Sequence, residues 1–463
     1  MAMEGKVVAK LDPEFLPMEQ VLRAYERDVH AGEYTTLTVA IERNHDYCEV
    51  SKLEVFPDGV DDARNCQIVE RLIKTLLWIY GGWHICIHGS RVIYSYMKSA
   101  YSSDGLRAFD CGFMSRVYER PFQVEYFENI SDMPAARHSS ISVGRHLNGC
   151  RIGFDAGGSD RKVSAVVNGE AIYSEEVVWH PKVQADPEYQ YQGILDSLRS
   201  AAQKMPRVDA IGISSAGVYI DNRIMVASLF LKVPDEIFEK RVKNMYLDAA
   251  KEIGDGIPVV VANDGDVTAL AGAMELNENS VLGIAMGTSE AGGYIDQAGS
   301  ITGWLNELAF VPVDFYSGAP EDEWSKDRGC GVKYLSQDAV VRLAFRAGID
   351  LSPERTPAEN LCVVQELMAR NDPRAENVYE TIGTYLGYSV AYYARFYDIR
   401  HVLIMGRVTS GKGGVVLLNC AQNVLKTEFP ELNGRISMHI PDESDRRVGQ
   451  SIAAASLPEC PAI

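Results

Sequence analysis

The chain has 463 residues, enough for two or three domains that each bury a core. Its net charge of −19 argues against a general nucleic-acid binder, because such a protein needs a basic face to displace counterions. Its apolar runs stay below the roughly 18 residues of a membrane span, and the first ten residues lack the apolar core of a signal peptide. The nine cysteines lie singly, without a CxxC pair. We therefore expect a reduced, cytoplasmic protein that binds neither nucleic acid nor membrane.

The first 148 residues are predicted to form an α+β domain whose role is open. Strand patterns at 36–44 and 46–56 favour a hairpin, and the amphipathic pattern over 62–82 favours a helix that ends at glycine. No motif that carries chemistry occurs in this part of the sequence. One segment resembles the first helix of a helix-turn-helix, but no basic recognition helix follows it. The polar, proline-containing residues 131–140 are predicted to form a linker.

From residue 149 onward the chain twice shows three strands followed by alternating helices and strands. We predict two domains, 149–278 and 279–463, related by internal duplication, with the last helix able to return to the first of them; two unrelated α/β domains are the alternative. The first contains predicted strands 151–157, 162–169 and 171–179, helix 187–205, strand 208–217, helix 235–253, strand 257–264 and helix 266–275. The second contains predicted strands 281–289, 290–297 and 300–305, helices 331–347, 357–370 and 375–398, strand 401–406, helix 413–427, strand 435–440 and helix 444–457.

A glycine-rich turn follows the first of these strands, in the stretch RIGFDAGGSDRK at 151–162. Glycine is costly inside a strand, so Gly157 and Gly158 indicate a place where the backbone bends or approaches a ligand. Backbone N–H groups in such a turn, together with the Ser159 hydroxyl, can bind phosphate oxygens. Asp155, just before the glycines, suits Mg²⁺, held directly or through water. The alternative is an ordinary turn.

A second glycine-rich turn lies in AMGTSEAGGYI at 285–295, between the first two predicted strands of the second domain. Gly287 and Thr288 there repeat the strand-turn-strand chemistry of the first turn. Two such turns at matching positions of two domains are much less expected by chance than one. The pair therefore predicts a phosphate site with a contribution from each domain.

Two further strand ends carry candidate residues. Asn263 and Asp264 end a buried strand and begin a helix, where a carboxylate facing a cleft can take a proton from a substrate hydroxyl. The alternative is that Asp264 only caps the helix, with Asp266 as the rival cap. Gly406 ends a later strand before small residues, which would let an adenine–ribose unit lie flat on the backbone.

In this order and spacing, the motifs resemble the ROK family of sugar kinases and regulators, within the actin–hexokinase–Hsp70 ATPase superfamily. The matching stretches are FDAGGSDRK, ISSAG, VANDGD, AMGTSEAGG and LIMGRVTSG, over about residues 150–456. The resemblance implies an α/β fold in which two RNase H-like lobes close over ATP and Mg²⁺, with a sugar in the cleft. It implies that Asp264 is the base, Asn263 a sugar-hydroxyl partner, Asp155 part of the metal environment, Gly157, Gly158, Gly287 and Thr288 phosphate ligands, and Gly406 part of the adenosine pocket.

Two parts of the family pattern are missing. The family's Glu-x-Gly-His segment aligns with NELAFVPV, which keeps Glu307 but has Phe310 in place of histidine. The family's zinc loop, with three cysteines and a sugar-binding glutamate, aligns with DRGCGVKYLSQDAV, which keeps only Cys330 and has Val332 in place of the glutamate. One thiolate cannot form a tetrahedral site, so no zinc is expected. The nearby segment WSKDRG either supplies replacement sugar contacts or forms a solvated turn; its candidates are Lys326, Asp327 and Arg328.

The sequence thus predicts an ATP-dependent kinase that phosphorylates a sugar or sugar-like hydroxyl, with Mg²⁺ as its cofactor. The expected substrate contacts are Asn263 and Glu307. The alternative is a ligand-binding sensor or regulator without turnover, which the missing sugar contacts favour and the intact Asp155 and Asp264 disfavour. A homodimer is an expectation from the family alone.

Overall fold

The computed structural model describes residues 6–138, 142–441 and 446–460. The helices in these ranges are α1 Met18–Val29, α2 Asp62–Tyr80, α3 Arg91–Ala100, α4 Ala108–Tyr118, α5 Glu188–Ala202, α6 Asp235–Ile237, α7 Met245–Lys251, α8 Asp264–Leu276, α9 Gln337–Arg346, α10 Pro357–Ala369, α11 Pro373–Tyr393, α12 Lys412–Glu428, α13 Pro430–Asn433 and α14 Arg446–Ala455. None of these helices combines the length and apolar character needed to cross a bilayer.

The strands of the described residues form four sheets. Their order is β2-β1-β3-β4, β10-β9, β11-β8-β5-β6-β7 and β13-β12-β14-β15. The strands are β1 Thr35–Glu42, β2 Cys48–Val55, β3 His84–His88, β4 Gln123–Tyr126, β5 Cys150–Ala156, β6 Asp160–Val167, β7 Glu170–Val178, β8 Ala210–Ser215, β9 Val218–Ile220, β10 Arg223–Val226, β11 Val259–Asn263, β12 Val281–Met286, β13 Glu290–Ile295, β14 His401–Met405 and β15 Ser437–His439. The predicted α/β fold class is therefore confirmed.

The described chain divides into two compact units. The first unit contains the described residues up to 138, Ile284–Gly292 and Trp304–Ile440. The second unit contains those from 142 to 283, Gly293–Gly303 and those after 440. The domain boundaries drawn from the sequence, at 148 and 278, stay a prediction.

The second unit is built on the five-stranded sheet. β5, β6 and β7 are antiparallel, as in the predicted three-strand opening, while β8 and β11 run parallel to β5. Apolar side chains of β5, β6 and β8 face α5 and α7 across a fully buried core. On the sheet, α14 lies so close that a Cβ on Gly153 or Gly212 would overlap its backbone. Glycine at these two strand positions therefore lets the last helix pack directly on the sheet.

The first unit joins the amino-terminal elements to α9–α13. The predicted hairpin is present as β1 and β2 in antiparallel register, and the predicted helix is α2. The side chain of Asp61 caps α2 by accepting from the backbone N–H of Arg64, and Gly81, at φ 79°, ends it. Asp12 ties the start of the chain to later helices, since its carboxylate accepts from Arg342 at 3.1 Å and Tyr385 at 2.5 Å.

Three predicted elements differ from the structure. The helix expected at 235–253 is interrupted, because Phe238–Val242 forms a π-helical turn between α6 and α7. The helix expected at 331–347 begins only at Gln337. The strand expected at 300–305 is reduced to one bridge between Ile295 and Ile301. Just beyond it, the backbone N–H groups of residues 306 and 307 donate to carbonyls at the end of α2 instead of to a strand.

Candidate functional site

The carboxyl ends of three parallel strands bring the two candidate acids of the second unit together. β5, β8 and β11 are neighbours, and their register pairs Asp155 with Ser214 and Asn263 with Ser215. Asp264 follows β11 as the first residue of α8. Because parallel strands end at one edge of their sheet, residues about 110 positions apart in sequence share this edge.

Asp155 is a buried carboxyl group at this edge. Its Oδ1 accepts a hydrogen bond from the Ser214 hydroxyl at 2.9 Å. Burial raises the pKa of Asp155 to about 6, against the lowering effect of the Ser214 hydrogen bond and with a further rise from the charge of Asp264. A cation bound here would stabilise the ionised form, and carboxylate oxygen is a ligand that Mg²⁺ prefers. The residue thus fits the metal role expected of it.

Asn263 caps α8 and leaves Asp264 partly exposed. The Asn263 Oδ1 accepts from the Gly265 backbone N–H at 2.7 Å, and its Nδ2 donates to the Gly217 carbonyl at 2.8 Å. The Asp264 Oδ1 accepts from the same N–H at 3.1 Å, so Asp264 contributes to the cap beside Asn263. Asp266 does not cap the helix, since it is buried and accepts from the backbone N–H of Tyr294. Burial raises the pKa of Asp264, which makes its carboxylate a stronger base.

The first glycine-rich turn is held by a tryptophan. The Trp179 indole N–H donates to the Gly157 carbonyl at 2.8 Å, and the Trp179 backbone N–H donates to the Ser159 carbonyl at 3.1 Å. A Cβ on Gly157 would lie 2.7 Å from the Asp160 carbonyl oxygen, so only glycine fits there. Gly158 and Ser159 are exposed at the tip of the turn. Trp179 thus holds the carbonyls of Gly157 and Ser159, while the exposed tip of the turn is open to a ligand.

Lys182 is a candidate that the sequence reasoning missed. A Cβ on Gly158 would lie 2.9 Å from the Lys182 Nζ, so this exposed ammonium stands beside the first turn. Its charge also lowers the pKa of Asp264, against the larger effect of burial. The residue lies in a short turn after β7, where no motif marked it. A cation at this place would attract phosphate.

The second turn and Gly406 lie together in the first unit, whereas Asp155 and Asp264 belong to the second unit. Thr288 is exposed, while the Gly287 carbonyl accepts from the backbone N–H of Gln337 at 2.9 Å. Gly406 has φ 96°, and a Cβ there would overlap the backbone of Met286. The Gly406 carbonyl accepts from the Thr409 hydroxyl at 2.8 Å. The strand end at β14 is therefore fixed against the strand that leads into the second turn.

Phe310, which stands where the family has histidine, is part of an aromatic cluster with the amino-terminal helices. Its ring stacks on Trp78 at 4.2 Å between centroids, and Phe109 and Phe113 complete the cluster at 5.7 and 6.5 Å. Glu307 is half-buried at the start of this turn, and its backbone N–H donates to the Trp78 carbonyl at 3.1 Å. Helices α2 and α4 thus pack on the segment around Phe310.

Asp327 lies in a buried ion network, neither in a solvated turn nor free to contact a ligand. Its carboxylate forms ion pairs with Lys74 at 2.7 Å, Arg71 at 2.9 Å and Arg107 at 2.8 Å. Burial raises the pKa of Asp327, but Lys74 and Arg71 outweigh it and leave the pKa lowered. The flanking Lys326 and Arg328 are exposed.

Cys330 lies beside this network. Its Sγ is 3.7 Å from Asp327 Oδ2, and burial raises the pKa of the thiol to about 12. A metal ion at this thiol would meet the ammonium of Lys74 and the guanidinium of Arg71. The expected absence of zinc from this segment stays a prediction, and these two cations support it.

The comparisons with known proteins decide the family. The sequence profile of the ROK family matches residues 151–439, well over half of the chain. This chain belongs to the ROK family. No curated protein matches it in a sequence search.

Solved ROK structures with a similar fold include kinases and a regulator. A ROK hexokinase from Thermus thermophilus is 19% identical, with 66% of this chain and 97% of that chain covered and a TM-score of 0.48. A ROK glucokinase from Streptomyces griseus, solved with glucose and AMPPNP, is 20% identical over 65% and 98%, with a TM-score of 0.45. A ROK transcriptional regulator, a homologue of the E. coli MLC protein, is 18% identical over 67% and 79%, with a TM-score of 0.49.

Within this ROK chain, the residues expected from the motifs lie at strand ends and turns. The side chains that contact these turns come from segments outside the motifs. Trp179 and Lys182 follow β7, outside every motif. Glu290 in the second turn is fully buried and accepts from the Tyr393 hydroxyl at 3.3 Å. Its Oε2 has no partner, and burial raises its pKa to about 8. The sequence signal available for Glu290 was the stretch EAGG, an acid shortly before two glycines.

Proposed function

We propose that this ROK protein is an ATP-dependent kinase that phosphorylates a hydroxyl group of a sugar-like substrate. The observation that carries the proposal is the carboxyl-end edge of the parallel strands in the five-stranded sheet, beside the glycine-rich turn. Asp155 near the end of β5 and Asp264 just after β11 share this edge, with β8 between their strands. One buried acid suited to Mg²⁺ and one partly exposed acid suited to a substrate proton are the pair that phosphoryl transfer to an alcohol needs.

Each residue then has one task. Asp264 would take the proton of the substrate hydroxyl as that oxygen bonds to the γ-phosphorus and ADP leaves with the electrons of the broken P–O bond. Backbone N–H groups at Gly157 and Gly158, with the Ser159 hydroxyl, would hold phosphate oxygens, as would Gly287 and Thr288 of the first unit. Bound Mg²⁺ supplies positive charge to the phosphates, and Asp155 would hold it. Gly406 would line the adenosine pocket.

The substrate differs from glucose in this proposal. A site built for hydrogen bonds to a hydroxyl discriminates strongly, and this chain has Phe310 and the partly buried Val332 where the family has histidine and glutamate. Asn263 already makes two hydrogen bonds within the chain, although its amide keeps further donor and acceptor capacity. Glu307 and Asn263 are the remaining candidates for substrate contacts.

The test of the kinase is Asp264→Asn. We expect phosphoryl transfer to fall by about 10²–10⁴-fold, because the amide cannot accept the proton, while ATP binding and the melting temperature change little. Asp196→Asn, which changes an exposed carboxylate on α5 of the same unit, is the matched control and should keep full activity. Activity would be followed as ADP release over a panel of sugars and polyols. Equal turnover in the two variants would remove Asp264 from the mechanism.

A sensor without turnover is the second candidate, favoured by the aromatic cluster around Phe310. In a sensor, sugar binding would raise the melting temperature with the logarithm of ligand concentration above Kd, but ADP release would stay at the background rate with every sugar. A kinase gives both signals with its own substrate. Thermal-shift and ADP-release measurements on the same sugar panel therefore separate the two functions.

A further inference from the structure

The sheet β2-β1-β3-β4 of the first unit carries three kinds of metal-ligating side chain on one face. Glu42 of β1 and His84 of β3 are direct cross-strand partners, and Cys86 lies two residues after His84. Because alternate residues of a strand share a face, all three side chains lie on the same side of the sheet. Carboxylate, imidazole and thiol together form a donor set typical of zinc sites.

The distances between the donor atoms are close to those around one ion. The Cys86 Sγ lies 3.6 Å from each ring nitrogen of His84 and 3.8 Å from Glu42 Oε2. Because it is equidistant from the two nitrogens, the sulfur lies over the imidazole, and the ring must turn for Nδ1 and Sγ to share an ion. Around a tetrahedral Zn²⁺, bonds of about 2.3 Å to sulfur and about 2.0–2.1 Å to nitrogen or oxygen place such atoms roughly 3.4–3.6 Å apart. The third distance, 2.6 Å between His84 Nδ1 and Glu42 Oε2, is that of a hydrogen bond. Replacing its proton by the ion requires these two atoms to separate by under about 1 Å.

The surroundings of His84 match those of a metal-bound histidine. Its other nitrogen, Nε2, lies 3.3 Å from Glu125 Oε2 on the adjacent strand β4. A metal-bound histidine almost always donates its second N–H to such an acceptor, which fixes the ring. His84 is 6% exposed and Cys86 is fully buried, so the site is shielded from solvent. Cys48 packs in the same small buried cluster as Cys86.

We propose that Glu42, His84 and Cys86 bind a zinc-type divalent ion, with Glu125 positioning the imidazole. Binding converts the Cys86 thiol to a thiolate and releases its proton to solvent, and no electron transfer is involved. The ion would clamp β1 to β3, since it joins side chains of both strands. This site lies in the amino-terminal part of the chain and is separate from the kinase residues and from Cys330.

The test uses the full-length protein stripped of metal and titrated with Co²⁺, which reports thiolate ligation through a charge-transfer band. We expect the wild type to bind one Co²⁺ per chain with this band, and Zn²⁺ to displace it. Cys86→Ser should remove the band. Cys330→Ser, which changes the lone cysteine of the family's zinc segment, is the control and should keep it. No band in the wild type, or an unchanged band in Cys86→Ser, would overturn the proposal.

A second variant protects the test against misfolding of Cys86→Ser. Glu125 has a side chain that is 56% exposed, so Glu125→Gln should fold normally. Because it loses only the positioning contact, we expect the Zn²⁺ affinity to fall by about 10–100-fold with the charge-transfer band retained in the Co²⁺ form. Unchanged affinity would show that Glu125 does not position His84. Complete loss of the band would show that it does more than position the ring, and either result contradicts the arrangement.

Discussion

At the scale of single residues, burial and hydrogen-bond partners set the protonation of the acids beside the glycine-rich turns. Asp155 and Glu290 are both buried acids next to glycine-rich turns, and each accepts from one hydroxyl, of Ser214 and Tyr393 respectively, but the second oxygen of Glu290 has no partner. A buried carboxylate without compensation is costly, so the protonated form of Glu290 is favoured at neutral pH.

Glu290 should make the protein lose stability as the pH rises. Burial raises its pKa from 4.5 to about 8 in the folded state. Between these two pH values Glu290 is protonated in the folded state and ionised in the unfolded state. The free energy of unfolding therefore declines with increasing pH. We expect Glu290→Gln to flatten this dependence in denaturant unfolding between about pH 5 and 8. Glu354→Gln, at an exposed position of the same unit, should leave it unchanged. A slope preserved in Glu290→Gln would show that another group causes it.

Lys182 gives a second prediction at this scale. Because its ammonium stands beside Gly158, we expect Lys182→Ala to weaken ATP binding and to reduce its salt dependence. The exposed Lys204 on the same unit provides a control, since Lys204→Ala should leave the affinity unchanged. Affinities measured calorimetrically at two salt concentrations provide the check. A Lys182→Ala protein that binds ATP like the wild type would rule out this role.

At the scale of elements, the strands and their ends could be predicted from the sequence, but the distant residues that hold those ends in place could not. The apolar run of β5 and the glycines after it identify a buried strand and its turn from local composition alone. Trp179 holds that turn from over 20 residues away, and nothing in its own segment reveals the contact. The strand expected at 300–305 is reduced for the same reason, because the backbone N–H of Ile301 donates to the carbonyl of Val143, a residue far earlier in the sequence.

Gly406 tests the fit between two elements. Gly406→Ala should destabilise the fold by about 1–3 kcal/mol, because a Cβ adds strain at positive φ and also overlaps the Met286 backbone. Gly411→Ala is the matched control: its φ is 72°, but a Cβ there meets nothing within 4 Å. Thermal unfolding of the two variants isolates the overlap. If both lose the same stability, the contact with Met286 contributes nothing.

At the scale of the whole molecule, the amino-terminal elements are a structural part of the first unit. Asp327 binds three cations that come from α2 and from the residue before α4, more than 200 positions earlier in the chain. Sequence reasoning placed Asp327 either at a ligand or in solvent because those partners are invisible at such a distance. The buried network instead joins the family's degenerate zinc segment to a domain that the motifs do not describe.

Breaking this network should be costly. In Asp327→Asn, three buried cations lose their shared carboxylate, and we expect a loss of about 3–5 kcal/mol in urea unfolding. Arg328→Ala changes the exposed neighbour and should cost under about 1 kcal/mol. Comparable stability of the two proteins would mean that the network contributes little. In limited proteolysis, the amino-terminal elements of Asp327→Asn should also be cleaved from the rest of the chain more easily.

The position of α14 sets when the second unit can finish folding. Its backbone lies against β5 and β8 of the second unit, and Arg151 on β5 donates to the carbonyl of Pro458 at 2.7 Å. A nascent chain leaves the ribosome from its amino terminus, so this sheet remains uncovered on one side until α14 has been synthesised. The second unit therefore completes its folding only after α14 has left the ribosome, and ribosome stalling shortly before residue 446 should leave it open to proteases.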